Sequence, residues 1–114
     1  MTAAKAGKFK PAELQRKEAT LHDGSVAFVR ALLLTERLQI RRQVSELAGS
    51  STEGALVYMI PRLLAVAVVD EDGKALMSAE QWDVYGAAHP GLVLDLLNTA
   101  SDLSGFSSEA AEKN

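Results

Sequence analysis

A small, mainly α-helical domain of four to five helices with an N-terminal β-hairpin is the fold class this sequence predicts. Three observations lead to it. The pair Asp23-Gly24 sits between two short runs of β-forming residues. From residue 35 onward apolar residues recur at helical spacing. Ser, Thr, Pro and Gly stand where those runs begin and end. The chain has 114 residues, which suits one domain with a modest core. Apolar residues make up 47% and aromatic residues only 5%, so the core must come from Leu, Val, Ile and Ala. The expected organisation is a flexible basic arm over 1–10, a single domain over 11–106 and a short helical tail over 107–114.

Residues 1–10, "MTAAKAGKFK", have no periodicity, which is the pattern of an arm. Ala19, Thr20 and Leu21 precede Asp23-Gly24, and Val26, Phe28 and Val29 follow it. Asp-Gly supplies the positive φ of a tight turn, so the segment reads as a hairpin. Thr35 ahead of Glu36 is placed to cap a first helix, with the acid near its positive end. At about 100° per residue, Ile40, Val44, Leu47 and Ala48 share one stripe. Gly49 is placed to stop the helix.

"STEGALVYMIPRLLAVAVV" reads as a second helix, capped by Thr52 and apolar almost all round, which belongs in the middle of a bundle. Pro61 either kinks it or starts its second half. The β-branched Val66, Val68 and Val69 leave a strand as the alternative for its end, so residues 62–69 are open between the two. "DEDGKALMS" is a turn followed by an extended step. Ser78 can cap a short third helix. Pro90 and Gly105 bracket a fourth, with Leu92, Val93, Leu96, Leu97, Ala100 and Leu103 on one arc and Leu94 opposite. Ser107 or Ser108 can cap a last helical turn.

Charge is unevenly spread. Residues 1–42 carry nine Lys or Arg against four acids, whereas 43–114 carry three against eleven, for a net −3. There is no cysteine, which removes disulfides, thiolate zinc sites and Cys nucleophiles and suits a cytosolic setting. The positive start is followed by "PAELQRKE" rather than by an apolar run, so a secretory leader is not expected. The most apolar stretch, Ala55 to Val69, is interrupted by Pro61 and Arg62 and falls short of the about 20 residues of a membrane span.

Little in the sequence points to catalysis, and no catalytic, cofactor or metal residue is assigned. "DEDG" resembles a calcium loop, yet with Gly73 in the sixth position Val68 would stand first and Ala79 last, where ligands are needed. His22 and His89 sit beside turn residues and fit no ligand pattern. Walker, Gly-x-Ser-x-Gly, Gly-x-Gly-x-x-Gly and His-Glu-x-x-His motifs are missing. Arg37, Arg41 and Arg42 with the basic arm offer a nucleic-acid reading, against which stand the acidic net charge and the lack of stacking aromatics. What stands out is spare apolar helix surface. Tyr58 and Met59 on the second helix and Leu94 on the fourth are candidates for a partner-binding or self-association surface.

In order, the hairpin "LHDGSVAFVRAL" leading to "TERLQI", then "RLLAVAVVDEDGKALMSAEQ", then "LVLDLLNTASDLSGFSSEAAEKN" resembles the tail assembly chaperones of long-tailed bacteriophages and prophages. The resemblance spans about residues 16–114. That family pairs an apolar helix with a Val-Asp-x-Asp-Gly-Lys turn, here Val69 to Lys74, and ends on a Ser-x-Glu-Ala stretch closing with Lys-Asn, here Ser107 to Asn114. The resemblance implies a non-enzymatic protein in the bacterial cytoplasm, absent from the finished virion. It would bind the long helical tape measure protein, keep it soluble and bring tail tube subunits to it, the latter chiefly through a longer frameshifted form. It implies no cofactor, no membrane and no transferable binding residue. It also points to a programmed −1 frameshift: Glu112, Lys113 and Asn114 can be encoded GAA-AAA-AAC, which contains the slip heptamer A-AAA-AAC. The alternatives are a small nucleic-acid-binding regulator and a structural tail-completion or connector protein.

Overall fold

Alternation of side chains places Ala27 and Val29 on the inner face of a strand and leaves Val26 outside, and the chain folds accordingly. In the computed structural model, which describes residues 2–9 and 14–104, strands β1 (Arg16–Thr20) and β2 (Val26–Arg30) pair antiparallel, with Thr20 opposite Val26. The turn differs from a two-residue Asp-Gly connection. The Gly24 N–H donates to the Leu21 carbonyl at 3.0 Å, which centres the turn on His22 and Asp23 and gives positive φ (86°) to Gly24 alone. This is the type I turn with a left-handed glycine that longer hairpin loops favour. The Asp23 carboxylate reinforces it by accepting from the Ser25 N–H at 2.9 Å and hydroxyl at 2.6 Å. Those two bonds hold the Asp23 carboxyl below its ordinary pKa.

Helix α1 (Leu34–Ala48) begins one residue before Thr35. Leu33 takes the extended cap conformation, and Glu36 supplies the polar partner by accepting the Leu33 N–H at 2.8 Å. Thr35 is therefore an exposed first-turn residue and not the cap. Gly49 ends the helix with φ 60°, as its position predicts. Helix α2 (Thr52–Ala67) is capped by Ser51, whose hydroxyl accepts the Gly54 N–H at 3.0 Å, so Thr52 is its first residue. It runs through Pro61 as one helix and does not restart there. Beside the missing proline N–H, the Arg62 guanidinium donates to the Tyr58 carbonyl at 3.1 Å.

The open question over residues 62–69 resolves into both answers. The helix extends to Ala67, and Val68–Val69 form β3, antiparallel to β2 in a sheet ordered β1-β2-β3. Asp70 then organises the acidic turn. Its carboxylate accepts the N–H groups of Asp72 (2.9 Å) and Lys74 (3.0 Å), and Gly73 supplies φ 84°. A bridge between Val69 and Ala75 is the predicted extended step. Helix α3 (Ala79–Ala88) starts on Ser78, and α4 (Pro90–Ser104) starts at Pro90. The expected stop at Gly105, the cap at Ser107 or Ser108 and the tail through Asn114 lie outside the described residues.

The predicted central helix is central. Its second half buries Leu63, Leu64 and Ala67 against α3, α4 and the sheet, joined by Val29, Trp82, Leu96 and Ala100. Full burial stabilises each large aliphatic side chain by roughly 1.5–3 kcal/mol. Its first half is different: Leu56, Val57 and Tyr58 remain exposed. Among the described residues α1 packs chiefly on α2.

Candidate functional site

Helical spacing on two neighbouring helices builds the most distinctive surface feature. Leu34, Leu38, Ile40 and Val44 of α1 and Ala55, Leu56, Met59 and Leu63 of α2 line one hollow. Leu32, from the link between sheet and helix, extends the lining. The result is an open groove of about 620 Å³ whose lining is mainly apolar. Ile40, Val44 and Leu63 are buried at its base, whereas Leu34, Leu38 and Leu56 are 69%, 56% and 52% exposed. Exposed leucines that share one concavity are of the kind that marks an interaction surface, whereas leucines exposed singly are ordinary.

Arg37 and Arg41 are the charged residues that line this groove, one turn apart on α1. No carboxylate lines it among the described residues. The other flank of α1 carries the opposite character. A second concavity of about 490 Å³ is lined by Glu36, Gln39, Gln43 and Glu46, with Arg62 across from them. Leu47, expected on the buried stripe, lies in this second concavity and is half exposed, because no further element packs there. Helix α1 thus lines two different hollows, contributing Arg37 and Arg41 as charged residues to one and Glu36 and Glu46 to the other.

The position of α1 is fixed from its N-terminus. Arg30 at the end of β2 grips Glu36 with two parallel hydrogen bonds, Nη1 to Oε1 at 2.8 Å and Nη2 to Oε2 at 2.6 Å. A planar guanidinium is suited to this two-point contact, and a lysine is not. The bonds hold the Glu36 carboxyl below its ordinary pKa and raise that of Arg30. At the other end of the chain's path, the Ser104 hydroxyl accepts the Leu32 N–H at 3.1 Å, tying α4 to the same junction.

Of the three residues expected at a partner surface, Met59 lies in the groove. Tyr58 is exposed on another side of α2, with the Arg62 guanidinium 5.5 Å from its ring centre. Leu94 is exposed on α4, opposite the Val93, Leu96 and Ala100 face, as its position predicts. The three do not form one patch. Leu34, Leu38 and Leu56 were missed because they sit outside the stripe that packs, and periodicity in one helix does not reveal the angle at which its neighbour crosses it. Arg42, grouped in the sequence with Arg37 and Arg41, is exposed and outside the groove. Codon candidates Glu112, Lys113 and Asn114 lie outside the described residues.

A second grouping was also hidden in the sequence. His22 from the hairpin turn stacks on His89 at the α3–α4 junction, with ring centres 4.3 Å apart and planes 22° apart. Tyr85 stands beside both, its hydroxyl 2.9 Å from His22 Nδ1 and 3.2 Å from the His22 backbone N–H. Tyr85 also meets the buried Trp82 edge-on at 5.2 Å. These contacts clamp the hairpin onto α3. No group of three or more His, Cys, Asp or Glu side chains among the described residues is arranged for a metal.

Comparison with family models, with curated proteins and with solved structures finds no match for this chain. No helix among the described residues is long and apolar enough to cross a membrane.

Proposed function

We propose that this protein is a tail assembly chaperone of the kind found in long-tailed bacteriophages, acting by binding the tape measure protein. The observation that carries the reading is the apolar groove between α1 and α2, with its three exposed leucines. A tape measure protein is a very long helical chain, and an unassembled helix of that kind exposes apolar stripes that aggregate. A groove flanked by two helices is suited to covering such a stripe, as amphipathic helices are covered in helix-in-groove recognition. The ordered series of sequence motifs from the hairpin to the terminal Lys-Asn supports the same family reading. In this reading the chaperone acts in the host cytoplasm, and a longer frameshifted product recruits tail tube subunits.

Co-expression with the tape measure protein of the same phage or prophage is the test. The expected outcome is a shift of tape measure protein from the pellet to the soluble fraction, with the two proteins co-purifying. Equal insolubility with and without this chain would sink the reading. The frameshift is checked at the level of the gene: GAG at Glu112 or AAG at Lys113 removes the heptamer.

A further inference from the structure

We infer that the groove between α1 and α2 is the docking site for a single amphipathic α-helix that carries acidic residues along the flank meeting α1. This rests on the chaperone reading for its biological partner but not for its chemistry, which follows from shape and charge.

The shape calls for a helix. α1 and α2 form a two-helix layer whose outer side has no covering element among the described residues, whereas every other helix packs on the sheet or on two neighbours. A layer with apolar residues on its outer side is completed by a further layer. The lining runs from Leu34 to Val44 on α1 and from Thr52 to Leu63 on α2. At 1.5 Å per residue each wall is about 15 Å long, room for roughly three turns of a guest helix. Such a guest would place apolar anchors at i, i+3 or i+4, and i+7 between Leu34 and Leu38 on one wall and Leu56 and Met59 on the other. The sheet does not offer an alternative edge here, because its strands line no part of the groove.

Charge selects among helices. The chain as a whole is acidic, with a net −3, yet the charged residues lining the groove are arginines. Arg41 stands at the middle of the α1 wall and makes no ion pair among the described residues. A Glu or Asp on the guest's α1-facing flank gains a charge-assisted hydrogen bond beside a desolvating apolar seam, and a Lys there is repelled. Arg41 also disfavours a second copy as occupant, since a two-fold, groove-to-groove dimer would bring Arg41 of both chains around one seam.

The test uses the full chain and two fluorescein-labelled synthetic helices of about 14 residues. Both carry Leu or Ile at the anchor positions, one with Glu and one with Lys along the same flank. Fluorescence anisotropy should show the Glu peptide binding at least about tenfold more tightly than the Lys peptide at low salt, with the gap narrowing as salt is raised. Leu38→Glu and Leu56→Glu change exposed positions, so circular dichroism should stay unaltered while binding of the Glu peptide falls by about tenfold or more. Arg41→Glu should reverse the preference between the two peptides. Leu94→Glu, on α4, serves as the control and should leave binding unchanged.

Equal affinity for the two peptides, no binding of either, or equal loss in Leu94→Glu would overturn the proposal. So would a wild-type dimer in light scattering that Leu38→Glu converts to monomer, since a second copy would then be the occupant. Co-expression separates this inference from the chaperone reading. If Leu38→Glu and Leu56→Glu solubilise tape measure protein as well as the wild type does, the groove is wrong and the chaperone stands. If the Glu peptide binds at the groove but tape measure protein stays insoluble, the groove stands and the chaperone reading falls.

Discussion

Arg30 and Glu36 show how one contact sets the geometry on which a surface depends. The pair joins the end of β2 to the first turn of α1, and its carboxylate also receives the Leu33 N–H at 2.8 Å. Replacement of Glu36 by Gln should cost about 1 kcal/mol at neutral pH, the modest figure appropriate to a pair that solvent partly screens. The pH dependence has a definite sign. Glu36 has a folded-state pKa below its ordinary value, so its contribution is fully present above the unfolded carboxyl pKa. It is lost as pH falls through the lower folded value. Urea unfolding followed through the single tryptophan should therefore show the wild type and Glu36→Gln converging in stability below about pH 4. A gap that persists unchanged into acid would remove the ion pair as its cause. The sequence showed Glu36 near a helix start but pointed to Thr35 as the cap. The cap falls on Leu33 because Glu36, three residues on, accepts the Leu33 N–H, the half of a capping box that a search for a Ser or Thr cap passes over.

At the scale of the element, most of the architecture was legible because local chemistry agrees with the final fold. Ser78 is the clearest case: its hydroxyl accepts the Gln81 N–H at 3.2 Å and the Gln81 side chain accepts the Ser78 N–H at 2.9 Å. This reciprocal pair satisfies two N–H groups that the helix itself leaves open. Ser78→Ala should lower stability by about 1 kcal/mol, read as an earlier thermal midpoint with an unchanged native spectrum. Ser78→Asp should recover most of the loss, and failure to do so would point to packing rather than capping. Gly49, Gly73 and the Asp23-Gly24 turn were legible for similar reasons, since each positive φ falls on a glycine that the sequence had already marked. The end of α2 was not. Val68 and Val69 become a strand because β2 offers Phe28 and Val29 as partners, and pairing between distant segments outweighs a continuing helical pattern.

At the scale of the whole molecule, the groove and the His22–His89 stack were invisible in the sequence because both depend on how elements meet. The apolar surplus itself could be read; which residues of it remain uncovered could not. Tyr58, Met59 and Leu94 were chosen for their own helices' faces, while the uncovered seam was decided by α1 having α2 as its chief neighbour. That asymmetry has a dynamic consequence. Helix α2 is held on several sides, with Leu64 and Ala67 fully buried, whereas α1 is anchored by one helix contact and the Arg30–Glu36 pair. Segments with few buried contacts open at lower free energy than the core they lean on. Amide hydrogen exchange should therefore be at least about tenfold faster in the middle of α1, around Gln39 to Gln43, than in α2 from Leu63 to Ala67. Glu36→Gln should widen that difference by releasing the N-terminal anchor. A ligand that completes the two-helix layer should narrow it, because binding to the closed form alone subtracts from the population of the open one. Uniform protection across α1 and α2 would instead mean that the two helices open together, and the groove would then be a fixed wall of the core and not a surface that a partner finishes.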